Sequence, residues 1–467
     1  MACCSRDKEL PLDKSTRILP PSEEGNDKKK QDTPYIVFAY GVAPPEIHQK
    51  RLSSGLCKVG IDKIACGSSH FLLLTENNVL LVGGNNLYGQ CARKNEIQDE
   101  EGLPPNLKVA QLRMEGHLII DIAAGSYHSL LIAKTNKGNK LMAFGHELGC
   151  GFLDRKHRSN PTAIISNEIP DNDPVTKVFA GRMRSAVILR SGKIKMWGEW
   201  YNGAKQRALR DVQMQIGAQD SVVKIVMGQF HALFLSKEGR VYSWGDNTYG
   251  ELGVSQSQKW RTNPEIIDFF ANKVCVDCDV GGRHSLVLTQ EGKLYSFGDN
   301  SEGQCGIESN RTYEPQEIET KGMLGDDTVI PIQIFAGDAH SALVTSEGDL
   351  FAWGDNSEER LGIHTTSSIF RPTLVEDVMG RNLCAVGLGG FFSVFITGPK
   401  EYSIGNKDLG KLNNMKIFKN MLFAKLPYDE EKKENESKPA GGGLITNLFK
   451  LNLKVTEETK ITESKAE

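Results

Sequence analysis

The sequence lacks any apolar run approaching the ~18 residues that a membrane-crossing helix needs. It also lacks an excess of charge of either sign: 56 Lys and Arg stand against 59 Asp and Glu, a formal net charge of −3. That balance gives no whole-chain field to draw in nucleic acid or an anionic membrane, so no direct nucleic-acid binding is expected. The N-terminal MACCSRDKELPLDK carries acids and no apolar stretch, unlike a secretory signal or a mitochondrial presequence. Ten cysteines are scattered along the chain, which reads as free thiols in a reducing, cytoplasmic setting.

Motifs of common chemistry are missing too. There is no GxxxxGK[ST], no GxSxG and no HExxH, so a phosphate loop, a hydrolase nucleophile elbow and a zinc-protease helix are excluded, and no cofactor is expected. Cys275 and Cys278 form a lone CVDC with no second pair at a matching distance, so no metal site is expected from them. On a regular strand these two would point to opposite faces. Cys91 and Cys305 stand where Leu252 and Leu361 stand in other repeats, and read as small core hydrophobes.

Glycine, by contrast, is plentiful: 47 of 467 residues, against an average of roughly 7%. Its placement is periodic. One pattern, Gly-x-x-His, occurs as GSSH at 67–70, GSYH at 125–128, GQFH at 228–231, GGRH at 281–284 and GDAH at 337–340, with degenerate copies GRMR at 181–184 and GGFF at 389–392. The residue three before each Gly is Ile64, Ile122, Val178, Ile225, Cys278, Ile334 or Val386, all able to serve as core. A second pattern alternates with the first: SWGDNTYGELG at 243–253, SFGDNSEGQCG at 296–306 and AWGDNSEERLG at 352–362 are clear copies. Weaker copies lie at 82–91, 143–151, 196–203 and 403–412, and FAYG at 38–41 has the strand part alone. First-pattern glycines at 67, 125, 181, 228, 281, 337 and 389 define a period near 50, the territory of propellers and solenoids.

Between the patterns the chemistry is that of a β-hairpin. HALFLSKEGRVYSWG at 231–245 has two β-forming runs around a KEG turn, and 289–298 and 345–354 repeat the device. The Asp-Asn after the second-pattern Gly can bond its own backbone and hold a turn. Each copy is a small sheet unable to cover both its faces; radial repetition covers them. The expectation is an all-β, seven-bladed β-propeller over residues 35–412, with a disordered tail at 1–34 and a C-terminal tail at 413–467.

The paired motifs, recurring in phase, resemble the regulator of chromosome condensation repeat family over roughly residues 35–412. The resemblance implies a seven-bladed propeller whose N-terminal strand completes the last blade, so Tyr35–Gly41 is expected to close the ring with Gly389–Thr397. Glu401–Leu412 is a competitor for that place. The family includes a nucleotide exchange factor for the Ran GTPase, a GTPase regulator of cilia and a plant ultraviolet-B receptor, so fold alone does not settle function. It widens the expected location from the cytoplasm to the cilium or nucleus.

The motif histidines His70, His128, His231, His284 and His340 fall on different blades, and each reads as hydrogen-bonded inside its own blade. The two residues between Gly and His should open toward one end of the channel. Among them Arg182, Met183, Phe230, Arg283, Asp338 and Phe391 form a mixed basic and apolar set, the composition of a protein-binding face. The photoreceptor has tryptophans at the first of these positions and this chain has none. The functional expectation is a non-catalytic platform that scaffolds or regulates a small-GTPase pathway. The alternative is a guanine-nucleotide exchange factor for a Ran- or Rab-like GTPase, with Asp338 as the acid matching the family's exchange pattern and the acidic insertion Ala92–Gly116 as a wedge. Membrane contact is expected only if Cys3 or Cys4 is acylated. LITNLFKLNLKV at 444–455 alternates apolar and polar residues and reads as a motif able to add to a sheet edge.

Overall fold

The computed structural model describes residues 36–41, 50–51, 60–92, 110–112, 117–136, 138–164, 169–199, 204–320, 329–398 and 404. The two tails, the 444–455 segment, Cys3 and Cys4, and nearly all of the 92–116 insertion lie outside the described residues. The strands form seven four-stranded antiparallel sheets, each one blade. In the fourth blade, Val222–Met227 pairs with His231–Ser236, then Val241–Asp246, then Trp260–Ile266. Regular helix among the described residues is limited to the turn Glu147–Cys150 and three short 3-10 turns. The propeller expected from the repeats is therefore the fold.

Closure follows the N-terminal strand. Ile36–Gly41 pairs antiparallel with Phe392–Thr397, from Ile36 opposite Thr397 to Gly41 opposite Phe392. Lys50–Arg51 adds the outer strand, so the seventh blade holds two strands from each end of the propeller. The competing segment contributes Ile404, which is buried and whose N–H donates to Leu383 O; its other residues lie outside the described set.

The hydrophobic core is divided among seven layers, one per blade interface. Between the first and second blades, Leu72, Leu74 and Val82 meet Ile122, Leu131 and Phe144. Between the fourth and fifth, Leu233, Leu235 and Val241 meet Cys275, Cys278 and Phe297. Cys275 and Cys278 thus share a face, contrary to the alternation expected of a strand. The reason is a bulge: Cys275 lies opposite Thr289, Asp277 opposite Leu288 and Cys278 opposite Val287, which leaves one extra residue in the inner strand. Burial pushes the Cys275 thiol up to about 12, so it sits protonated in the core. Cys91 and Cys305 are wholly buried, as expected.

The motif histidines are fully buried but bond across blade boundaries, not inside their blades. His70 Nε2 meets Ser129 Oγ at 2.9 Å, His128 meets Ser185 at 2.8 Å, His231 meets Ser285 at 3.0 Å, His284 meets Ser341 at 2.9 Å and His340 meets Ser393 at 3.0 Å. In four of these the serine hydroxyl donates onward to a carbonyl, of Gln90, Gly149, Glu251 and Gln304. The hydroxyl proton is then committed, so the imidazole Nε2–H is the donor. The degenerate copies obey the same logic. Arg184 replaces histidine where the next blade carries Ala232 instead of serine, and its guanidinium donates to the carbonyls of Gly228 and Gln229. Phe392 replaces histidine where the next blade carries Phe71, and the two rings pack at 6.4 Å. Burial holds each of the five histidines down at about 3, so all are neutral.

Charged groups on the inner strands add further ties between blades. Lys63 Nζ donates to Asp121 and Lys224 Nζ to Asp277, both at 2.7 Å. The second carboxylate oxygen of Asp121 accepts from Val178 N, and Asp279 accepts from Ala336 N at 2.9 Å. Burial raises Asp279 to about 6, despite the pull of Lys224.

Candidate functional site

Both sequence patterns end on one rim of the propeller. The first makes the turn between the inner and second strands, and the second leaves the third strand at the same end. They are tied together in six of the blades: the residue after the second-pattern Gly donates its N–H to the carbonyl just before the motif histidine or the arginine in its place. His146 donates to Tyr127 O, Asp246 to Phe230 O, Asp299 to Arg283 O and Asp355 to Ala339 O, at 2.8 to 3.0 Å. Glycine is needed for this. Gly245 has φ +109°, and a Cβ there would lie 2.2 Å from Phe230 O. The Asp-Asn pair then holds the following turn, with Asp246 accepting from Thr248 N and Asn247 from Leu252 N.

The Gly-x-x-His turns also join one another around the channel mouth. Ser68 and Ser126 hydroxyls share a 2.7 Å hydrogen bond, and Ser126 N–H donates to Arg182 O. Gln229 N–H donates to Gly282 O, Gly282 to Asp338 O, and Asp338 to Gly389 O; Gly390 N–H closes the circle on Ser68 O. Backbone bonds make five of the seven links around the mouth; the Ser68–Ser126 hydroxyl pair and the Arg184 guanidinium on the Gly228 and Gln229 carbonyls make the other two, and the side chains of the x-x residues stand on this ring.

Among the six residues singled out from the sequence, Arg182 stacks over the Phe230 ring at 5.3 Å. Phe391 is exposed and lies beside Arg360, 5.7 Å from guanidinium to ring. Arg283 stacks on Tyr249 at 4.4 Å, with Arg311 on the same ring at 4.7 Å. Met183 is half-buried beside Arg182 in the ring. Asp338 is different. It is partly buried, with Oδ2 2.9 Å from where a Cβ on Gly390 would stand. Burial raises its carboxyl above the ordinary range, and Arg182 and Arg360 pull it back. The result is a half-buried acid among arginines with two cation–π pairs around it.

Sequence reasoning missed two features. Arg360 replaces the Glu251 and Gln304 of sister repeats and ion-pairs with Asp355 at 2.8 Å. The weak copy AFGHELGCG and the loop after it bring His146, Glu147 and His157 together beside Tyr88, which packs in turn on Tyr127, at the same rim. Burial lowers His146 despite the nearby Glu147 carboxylate. The hydrogen bond from Arg207 helps hold Glu147 below the usual range, against its own burial.

The RCC1-like domain model matches residues 39–395. The human X-linked retinitis pigmentosa GTPase regulator is 31% identical over 350 residues, which is 72% of this chain and 32% of that protein. Human HERC6, a probable E3 ubiquitin-protein ligase, is 26% identical over 350 residues, 74% of this chain and 28% of its own length. The chain thus spans a third or less of the length of these curated relatives. The crystal structure of Prp20p from Saccharomyces cerevisiae superposes with a TM-score of 0.64 at 20% identity, covering 82% of this chain and 94% of that one, which is a likeness of fold. With its seven blades, its doubled motif in phase and the family match across nearly the whole ring, the chain belongs to the RCC1-like domain family.

Proposed function

We propose that the chain is a non-catalytic protein-interaction platform in a small-GTPase pathway, docking its partner on the channel-mouth face of Arg182, Met183, Phe230, Arg283, Asp338 and Phe391. The observation that carries this is the paired set of arginines and aromatics standing on a hydrogen-bonded ring of turns. Stacked arginines and half-exposed aromatics are the residues that dominate protein interfaces when truncated. The ring fixes them in advance, which lowers the entropy cost of docking. Similarity to a GTPase regulator over most of the propeller supports the choice of pathway.

Nucleotide exchange on a Ran- or Rab-like GTPase is the competing reading. It asks for an anionic group presented to the partner's magnesium and phosphates. Asp338 is poorly suited, because burial favours its protonated form and Arg182 and Arg360 beside it attract phosphate. The experiment is affinity capture with the immobilised full chain, followed by nucleotide release from any GTPase recovered. Stable capture, lost on Arg182→Glu or Phe230→Ala, with no faster release, is the expected result. Release accelerated by orders of magnitude and abolished in Asp338→Ala would overturn the platform in favour of exchange.

A further inference from the structure

We propose that His146, Glu147 and His157 form a binding site for a divalent transition metal of the zinc class, at the rim of the motif face. His146 immediately precedes the helical turn Glu147–Cys150, and His157 returns to it from the loop that follows. Nδ1 of His146 lies 3.2 Å from Glu147 Oε2, and Nδ1 of His157 lies 3.4 Å from the same oxygen. One atom from each residue falls within 4.8 Å of the others. Zinc bound tetrahedrally to imidazole nitrogen and carboxylate oxygen at ~2.0–2.1 Å sets its ligands about 3.4 Å apart, so both measured edges fit.

The backbone shows which nitrogens carry lone pairs. Leu148 N–H donates to His146 Nδ1 at 3.3 Å, and Glu147 N–H donates to His157 Nδ1 at 3.2 Å. Both Nδ1 atoms are therefore acceptors. A metal ion would take these two lone pairs in place of the backbone N–H groups, whose hydrogen bonds, at 3.2 and 3.3 Å, lie at the long end of the ordinary range. Several further contacts orient the set. Arg207 donates to the other Glu147 oxygen at 3.0 Å, leaving Oε2 to face the imidazoles. Tyr88 packs edge-on against both rings, at 4.9 Å and 5.1 Å. Outer contacts of this kind hold metal ligands in place. His157 is exposed, so a fourth position stays open to water or to a partner's side chain. The mixed nitrogen and oxygen donors favour zinc, nickel or cobalt over calcium and magnesium. Arg207 and Lys205 stand close enough to oppose a dication, which weakens the site relative to a closed structural one.

The site stands independently of the platform reading. The test is titration of the full chain with zinc chloride by calorimetry, and with cobalt(II) chloride by visible absorption. One site is expected, with the intense bands of four-coordinate cobalt, weakened at least tenfold in both His157→Ala and Glu147→Gln. His157 lies on the surface, so His157→Ala should keep the strand signal in circular dichroism; Glu147→Gln keeps the shape of the side chain. Zinc affinity equal in wild type and both variants would assign the binding to thiols elsewhere and overturn the proposal. So would absence of binding.

Discussion

Acid should dismantle this propeller through its buried histidines. Each of the five is held at about 3 in the folded chain, against an ordinary value of 6.5. The unfolded chain therefore binds more protons below pH 6.5, and stability falls as the pH falls through that value. A tenfold difference in proton affinity between the two states is about 1.4 kcal/mol. At pH 5, each histidine contributes a loss of roughly 2 kcal/mol, and the five together roughly 10 kcal/mol. Buried carboxyls act in the opposite direction; Asp338 is one, and the larger shifts are those of Glu251 and Asp279. Glu251 is raised by burial to about 8 and Asp279 to about 6, so the folded chain takes up their protons first. Between pH 7.5 and 5 they return roughly 4 to 5 kcal/mol, leaving a net loss of about 5 kcal/mol. Domains are typically stable by about 5–15 kcal/mol, so the midpoint of denaturation should shift sharply over this range. The assay is urea denaturation followed by tryptophan fluorescence at pH 7.5, 6 and 5. His284→Gln should lower stability at neutral pH yet reduce the histidine part of the pH slope by a fifth. A denaturation midpoint unchanged down to pH 5 would refute the reasoning.

Two further perturbations probe one blade interface and one turn inside a blade. Arg184→His alone strands an imidazole against Ala232 and should cost about 1–3 kcal/mol, whereas Arg184→His with Ala232→Ser should recover most of it, read as thermal midpoints in a double-mutant cycle. Gly245→Ala forces a Cβ against Phe230 O at φ +109° and should destabilise by about 2 kcal/mol or more, with the loss read by the same denaturation assay.

The fold was legible because each repeat must solve the same backbone problem. A glycine has to stand where two turns touch, and a hairpin has to turn at the opposite end, so Gly67 through Gly389 keep phase. Less legible was anything that depends on which blades are neighbours. His70 and Ser129 lie 59 residues apart on different repeats, and His340 and Ser393 lie 53 apart. Within one repeat the histidine looks self-contained; only the coincidence of Arg184 with Ala232, and of Phe392 with Phe71, gives away that the partner is one blade on. The bulge under Cys275 and Cys278 left a trace that alternation conceals. An apolar pair three apart recurs in every inner strand, as in Ile61 and Ile64 or Val222 and Ile225, and every one of those strands shifts register between its members. At the channel mouth the x-x residues could be named from the motif, but their partners could not. Arg360 and Tyr249 come from the second pattern, and the His146–Glu147–His157 cluster comes from a weak copy of it and the loop that follows.

The shared seventh blade makes synthesis of this protein a process with a late deadline. A ribosome delivers the strand Ile36–Gly41 early, yet its partner Phe392–Thr397 comes at the far end of the ring, and Tyr40 reaches its hydrogen-bond partner Asp377 only 337 residues later. Until then the apolar face that Phe38 and Tyr40 bring to the last core layer has nothing to cover it. The nascent chain accumulates blades as an open arc with two unsealed ends, the form in which stray strands are most easily captured. A stop codon placed just before Phe392 would therefore leave six whole blades and still forfeit closure, since the first strand made is the last to find its place.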